Sequence, residues 1–309
     1  MSSSPHKVMP ALSPSAGERV SLKGPPMRHA HLKSWLLATP LTLVLVVFLV
    51  LPIFLITAVS FWTTDAFSFR PDFQLGNYEY LIGSAVAWKV FGLTILMAVI
   101  VWALTLVIGF TIAFFLAFHV RTLKWQMALF LLTTIPFWTS NIIRMISWIP
   151  LLGKNGLVNQ TLIGAGLIDE PLQWLLYSSF SVCLAFVHLY TLFMVVPIFN
   201  TMMRIDKSLI EAARDGGATG FQILTNVIIP LTKPGIMIGS IFVFALVMSD
   251  FVTTRFMSGS QLANVGRLIA NDIGLLQYPS AAATAVVLLL TVLLTIGAMM
   301  RLVDIRKEL

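Results

Sequence analysis

Two charged residues lie inside apolar stretches that are long enough to cross a lipid bilayer: Arg144 and Asp250. A charge at the centre of a bilayer costs about 2.5–3.5 kcal/mol or more, so each requires a counter-charge, a water-filled cavity or contact with a polar solute. At about 1.5 Å per residue, the two side chains lie at similar depths and are able to meet. Two interpretations stay open here, a structural ion pair and a solute pathway.

Polar and aromatic residues accompany both charges at helical spacing. Asn141 precedes Arg144 by three positions and Trp148 follows it by four, which predicts a shared helix face that also includes Phe137. An indole at Trp148 can bind an ammonium group through its π face, or simply mark the membrane interface. The candidate lining residues of a solute pathway are Arg144, Trp148, Asn141, Asp250, Thr253 and Tyr190.

The motifs of nucleotide hydrolysis and of common hydrolases are absent from the sequence. It contains no GxxxxGK(S/T) phosphate-binding loop, no HExxH and no GxSxG. The single cysteine, Cys183, cannot form an intrachain disulfide, and His188 has no evident second metal ligand. We therefore predict no catalytic residue, no metal and no cofactor, and any ATP hydrolysis must reside in a separate subunit.

Composition identifies lipid as the solvent for much of the chain. Hydrophobic residues make up 58% of the 309 positions and charged residues 11%, against roughly 25% charged in soluble domains. The net charge of +7 does not indicate nucleic-acid binding, because Lys and Arg lie at the ends of apolar stretches.

The hydropathy pattern predicts an all-α membrane protein with six transmembrane helices. Residues 1–33 are predicted to be a disordered tail, residues 34–303 the membrane domain and residues 304–309 a second tail. Each crossing needs about 20 apolar residues. The predicted crossings are residues 34–60, 90–118, 125–150, 177–203, 235–257 and 280–301.

The distribution of basic residues predicts that both termini lie in the cytoplasm. With this orientation, fourteen of the 20 lysines and arginines lie on the inner side, five lie outside and Arg144 lies within a crossing. Membrane proteins usually carry such an excess of lysine and arginine on the cytoplasmic side.

The cytoplasmic segment of residues 204–236 contains helix signals of its own. We expect Ser208 to cap a short helix with Glu211 in its first turn, and Gly216 and Gly217 to end that helix through positive φ. A second short helix is expected at residues 221–228, broken by Pro230. From amphipathicity alone, this hairpin is either a docking element for a motor protein or a simple interfacial connector.

The residues of this segment resemble a known motif. Glu-Ala-Ala at residues 211–213, Gly217, Val227, Ile229 and Pro230 are similar to the EAA motif of permease subunits of type I ATP-binding-cassette (ABC) importers, with Val227 and Ile229 as conservative departures. Further stretches from Pro136 and Ser249 look like the spermidine/putrescine branch of that family. The resemblance covers roughly residues 75–305.

The resemblance implies a type I permease fold in a bacterial inner membrane, with a coupling helix between helices 4 and 5. It also implies a second permease subunit, usually a different one, two cytoplasmic ATP-binding subunits, and a periplasmic or lipid-anchored solute-binding protein. The residues that would contact the ATPase are Glu211, Ala212, Ala213, Gly217, Ala218 and Phe221.

A polyamine is the solute that this branch implies, carried by alternating access. The alternatives are an opine, an amino-acid derivative or a small anion in the same class of importer, or a secondary transporter driven by an ion gradient. A secondary transporter usually has an internal repeat, and a channel needs a selectivity filter; neither is evident in the sequence.

Overall fold

The computed structural model describes residues 39–65 and 68–302, so the predicted tails at residues 1–33 and 304–309 lie outside the described chain. Within the described chain the boundary between two units falls after Ile53, so that residues 39–53 belong to one unit and residues 54–65 and 68–302 to the other. The helices that carry the candidate site all belong to the second unit.

Helices make up most of the described chain. In order, the elements are α1 (Thr39–Val59), β1 (Thr63–Asp65), β2 (Ser68–Arg70), α2 (Gly76–Gly83), α3 (Ala85–His119), α4 (Leu123–Trp138), α5 (Asn141–Ile146), α6 (Ile149–Leu152), α7 (Leu157–Gly164), α8 (Ser179–Met202), α9 (Lys207–Asp215), α10 (Gly220–Ser249), α11 (Phe251–Met257), α12 (Val265–Gly274) and α13 (Tyr278–Leu302). The strands β1 and β2 form an antiparallel hairpin in which Thr63 pairs with Arg70. The all-α prediction is thus confirmed apart from this small hairpin.

Five helices of the described chain are long and apolar enough to cross a membrane: α1, α3, α8, α10 and α13. The third predicted crossing, residues 125–150, is not one straight helix. Helix α4 ends in a 3-10 turn at Ile135–Trp138, and the helical segment Asn141–Gly164 leaves it at an angle of 91°. Pro136 lies at the start of that turn. Because proline has no backbone N–H, a regular helix would lose a hydrogen bond at this position. Counted as one bent span, the two segments bring the candidate crossings among the described residues to six.

The fifth predicted crossing, residues 235–257, differs from the structure at both ends. Helix α10 begins fifteen residues earlier, at Gly220, and ends at Ser249. Asp250 has an extended backbone and separates α10 from α11. The Asp250 side chain therefore lies at a joint between two helices and not inside one.

Helices α3, α8 and α10 pack closely around Met194 of α8, which is fully buried. A Cβ atom added at Gly239 of α10 would lie 3.1 Å from the Met194 Cα, and one at Gly109 of α3 would lie 3.0 Å from the Met194 Cβ. Gly235 faces the Pro197 carbonyl and Thr201 in the same way. The spacing Gly235-x-x-x-Gly239 is typical of membrane helices whose backbones approach closely.

Buried polar groups in this bundle are bonded across helices. The Trp102 indole Nε1 on α3 donates to the Ser240 hydroxyl on α10 at 2.7 Å. The Gln126 amide on α4 donates to the Leu116 carbonyl at 2.8 Å, at the end of α3. Because no water is available in the hydrocarbon region to replace these bonds, they fix the relative positions of the helices.

We expect Gly239→Leu to destabilise the bundle, since the added side chain overlaps Met194 and overpacking costs about 1–3 kcal/mol. Thermal unfolding in detergent measures the effect. The matched control is Gly297→Leu on α13, where an added Cβ meets no atom within 4 Å. Equal unfolding temperatures for the two variants would contradict the proposed packing.

Candidate functional site

Arg144 lies on the wall of a cavity of about 380 Å³ formed by α3, α4, α5 and α8. Its side chain is only 7% exposed, and it donates through Nη2 to the Asn141 side-chain oxygen. The Nε atom of Arg144 is buried without a hydrogen-bond partner in the described chain. Since an unpaired buried polar atom is unfavourable, the described residues compensate the Arg144 guanidinium only in part.

Three aromatic residues line the same cavity. The Trp148 Nε1 donates to the His188 Nδ1 at 3.0 Å, and their rings meet edge to face. Phe137 also lines this cavity, although the break after Trp138 removes it from the predicted common helix face with Arg144. The structure thus brings Phe137, Arg144 and Trp148 together across a bend instead of along one helix.

Asp250 is held by a dense set of hydrogen bonds at the joint between α10 and α11. Its Oδ1 accepts from the Thr253 backbone N–H at 2.9 Å, which caps the N-terminus of α11. Its Oδ2 accepts from the Thr253 hydroxyl and from the Tyr190 hydroxyl, each at 2.6 Å. Three of the predicted pathway residues therefore form one cluster, in which the Asp250 charge is stabilised locally.

An ion pair between Arg144 and Asp250, one of the two interpretations that the sequence leaves open, is not present among the described residues. Arg144 bonds only to Asn141, and the Asp250 carboxylate bonds to Tyr190 and Thr253. Tyr190 is close enough to interact electrostatically with both. The two charges are near neighbours without a direct ion pair, because Asp250 is already satisfied by neutral donors.

Sequence analysis missed one residue of this region, Asn264. Its Oδ1 accepts from the Arg267 backbone N–H and caps α12, and its Nδ2 donates to the Asp250 carbonyl at 2.7 Å and to the Thr254 hydroxyl at 2.9 Å. The available signal was an Asn immediately before an amphipathic segment, which is a helix N-cap pattern. Asn264 ties α12 to the α10–α11 joint.

Helix α9 forms the first part of the hairpin predicted at residues 204–236. Asp206, and not Ser208, is its N-cap, because the Asp206 Oδ1 accepts from the Ser208 backbone N–H at 3.0 Å. This backbone bond and a bond from the Ser208 side chain lower the pKa of the Asp206 carboxyl. Glu211 consequently lies in the second turn of α9 and not in the first. Its side chain borders a cavity of about 340 Å³ between α9, α10 and the end of α3.

A Schellman motif ends α9. The backbone N–H of Ala218 donates to the Ala213 carbonyl at 3.0 Å, and that of Gly217 donates to the Arg214 carbonyl at 2.9 Å. Gly217 has a φ of +82°, whereas Gly216 has a φ of −72°. Positive φ is required at Gly217 alone, as expected for the residue that follows a helix C-cap.

The second arm of the hairpin is the start of α10. Thr219 and Gln222 form a reciprocal capping box, with the Thr219 N–H donating to Gln222 Oε1 at 2.8 Å. The expected break at Pro230 does not occur. A π-helical turn, Leu224–Ile228, precedes Pro230 and includes Asn226, whose carbonyl would otherwise clash with the proline ring. The second arm of the hairpin and the membrane helix that follows are therefore one continuous helix of 30 residues, Gly220–Ser249.

The hairpin presents small and apolar groups to its surroundings. Phe221 is 74% exposed, and Ala212 and Gly217 are also exposed, whereas Ala213 and Ala218 pack partly against the core. Lys207, Glu211, Arg214 and Asp215 are exposed on the same hairpin, so that Phe221 is an aromatic side chain among charged and small groups. Such an exposed aromatic residue is suited to insertion into a groove of another protein.

Comparison with solved structures defines the class of the fold. A bacterial alginate ABC transporter, solved in complex with an alginate pentasaccharide-bound periplasmic protein, contains a chain that superimposes with a TM-score of 0.66 at 16% identity. The match covers 88% of this chain and 93% of that one. The fold is that of an ABC transporter permease.

Comparison with known sequences defines the family. No protein-family model matches the chain. The spermidine/putrescine transport system permease protein PotB of Escherichia coli (strain K12) is 34% identical over 246 residues, covering 79% of this chain and 88% of PotB. PotC, a permease protein of the same system in that organism, is 32% identical over 124 residues, or 40% of this chain and 44% of PotC. The chain belongs to the PotB family of ABC transporter permeases.

The contact between Tyr190 and Asp250 predicts energetic coupling between the two residues. We expect Tyr190→Phe and Asp250→Asn to be non-additive by about 0.5–3 kcal/mol in a double-mutant cycle, because Tyr190→Phe removes the donor and Asp250→Asn removes the acceptor's charge from the same hydrogen bond. Thermal or denaturant unfolding of the four proteins gives the coupling energy. Tyr78→Phe with Asp250→Asn is the control pair, since Tyr78 bonds to Ser60 instead. Strict additivity of the Tyr190 pair would refute the proposed contact.

Proposed function

We propose that the chain is the permease subunit of an ATP-driven importer that carries spermidine and putrescine. The observation that carries this proposal is the 34% identity to PotB over most of both chains. Since 79% of the 309-residue chain is matched, the match includes the third predicted crossing and the hairpin. The chain would form half of the translocation pathway and alternate between inward-open and outward-open states.

ATP hydrolysis in this proposal takes place in two separate cytoplasmic subunits that dock on the hairpin. Exposed Phe221 and Ala212 provide the contact surface, and Gly217 provides the turn between the arms. Glu211, Ala213 and Ala218 orient the coupling helix α9. Because α10 is continuous from Gly220 to Ser249, movement of the docked hairpin is transmitted along its axis for about 45 Å.

The pathway wall in this proposal combines both clusters of the site. Trp148 offers an aromatic face that attracts an ammonium group. Arg144, which Asn141 holds through a side-chain hydrogen bond, repels ammonium groups and thereby prevents tight retention of a cation at the cavity wall. A transport site must bind strongly enough to admit the solute and weakly enough to release it. Asp250, Tyr190 and Thr253 link this wall to the end of α10.

The partners in this proposal are a second, non-identical permease and a periplasmic or lipid-anchored solute-binding protein. Partial similarity to both PotB and PotC supports a pair of related but distinct permeases. The proposed location is the bacterial inner membrane with both termini in the cytoplasm, which follows from the excess of Lys and Arg in the inner segments.

Uptake into sealed vesicles tests this function. We expect vesicles containing the full complex to accumulate labelled spermidine only with ATP, and unlabelled putrescine to compete where an opine, a neutral amino acid or phosphate does not. In the variant Glu211→Lys with Gly217→Pro, uptake and co-purification of the ATPase should fall by about ten-fold, or 1.4 kcal/mol. Proline cannot adopt the φ of +82° found at Gly217.

The control variant is Glu79→Lys, which makes the same charge reversal on exposed α2, remote from the hairpin. It should bind the ATPase normally. Failure of the wild-type complex to carry any polyamine would refute the proposed substrate. Normal ATPase association by the hairpin variant would refute the docking role.

A further inference from the structure

A second polar cavity lies at the opposite end of α3 from the hairpin. It has a volume of about 650 Å³, within the range of small-molecule binding sites. Ser84, Val86 and Ala87 line it at the start of α3, whereas Phe118 and His119 at the end of that helix border the hairpin cavity. The two cavities are therefore separated by roughly the length of α3, about 50 Å. Given the proposed orientation, this second cavity opens on the outer side.

Asp272 is the only carboxylate among the described residues that line the outer cavity. It lies on α12 and is partly buried, and its Oδ2 accepts from the Ser280 hydroxyl at 3.0 Å. Burial raises the pKa of Asp272, although the bond from Ser280 opposes this effect. Asp272 forms no ion pair within the described part of the chain, so its charge is compensated by a single neutral donor.

The remaining lining of the outer cavity favours a cationic ligand. No Lys, Arg or His is among the lining residues, and most of them carry oxygen acceptors. The uncharged residues with such acceptors or an aromatic face are Thr63, Thr64, Gln74, Asn77, Tyr80, Ser84, Gln277, Ser280 and Thr284. An ammonium group has only donors, so hydroxyl and amide oxygens around one carboxylate match its chemistry. The Tyr80 ring adds a face that attracts cations.

We propose that the outer cavity centred on Asp272 is an entry site that binds one ammonium group of the incoming solute before it reaches the pathway. This inference rests on the proposed polyamine function, because a linear diamine can place one ammonium at Asp272 while the second remains free. The anionic site would raise the local concentration of cations at the outer end of the permease. Binding here requires only this chain's residues.

Equilibrium binding of labelled putrescine to the importer complex in nanodiscs, without the solute-binding protein, tests the proposal. We expect Asp272→Asn to weaken binding by about ten-fold or more, since a charge-assisted hydrogen bond is lost while the Ser280 contact is retained. Asp272→Glu should preserve binding. The neutral diol 1,4-butanediol, which has the same carbon chain, should not compete with putrescine.

The matched control is Glu79→Gln, which neutralises an exposed acid on α2 that does not line the cavity. If Asp272→Asn does not fold, Gln277→Lys provides a second test, because a new cation at the exposed rim should reduce binding to a similar extent. Unchanged putrescine binding in Asp272→Asn, or in Gln277→Lys, would overturn the proposal, as would absence of binding to the wild-type complex. Vesicle uptake separates the entry site from the proposed polyamine transport. If the wild-type complex takes up polyamine normally and Asp272→Asn binds putrescine as the wild type does, only the entry site is rejected.

Discussion

Helices α8 and α10 approach each other so closely that glycine is needed at Gly235 and Gly239, opposite Pro197 and Met194. Most of the candidate machinery depends on this contact. Because lipid supplies little hydrophobic driving force between helices, close packing and interhelical hydrogen bonds must hold the bundle together. The same helix α10 continues to the hairpin at one end and to the Asp250 joint at the other. A rigid, tightly packed helix therefore connects the surface proposed to receive the ATPase with the cluster beside the cavity.

The two charges of the membrane region are accommodated in different ways. Asp250 is stabilised locally by Thr253 and Tyr190, and the Asn264 amide bonds to its backbone carbonyl. Arg144 has one side-chain partner, Asn141, and keeps a buried Nε without a partner in the described chain. Such an arrangement makes Asp250 a structural anchor for the helix joint. Arg144, in contrast, is only partly compensated by the described residues, and its charge makes the cavity wall repulsive to cations.

Hydropathy predicted the membrane fold because each crossing depends on the summed apolarity of about 20 residues. Two predicted helix boundaries, the break at Pro230 and the start of the fifth crossing at residue 235, were wrong for local reasons. Pro230 does not end a helix, since the preceding π turn makes space for its ring, and the Thr219–Gln222 capping box was the better signal for the start of α10. The break near Pro136 and the partners of Asp250 depend on contacts between distant segments, such as Tyr190 with Asp250. A single sequence does not encode those contacts in its spacing.

Asp272 was not predicted as a site residue, because its cavity is assembled from the β-hairpin, α2, α3, α12 and α13.

The central claim is that α10 transmits movement as a rigid body, and the distance between two labels on this helix tests it directly. Nitroxide labels at Phe221→Cys and Ile238→Cys, both exposed positions, in a Cys183→Ala background would lie about 26 Å apart along the helix. We expect the same distance distribution for the importer complex with and without ATP. A shorter or broader distribution in one state would show that the helix bends at the π turn Leu224–Ile228, and would contradict the account.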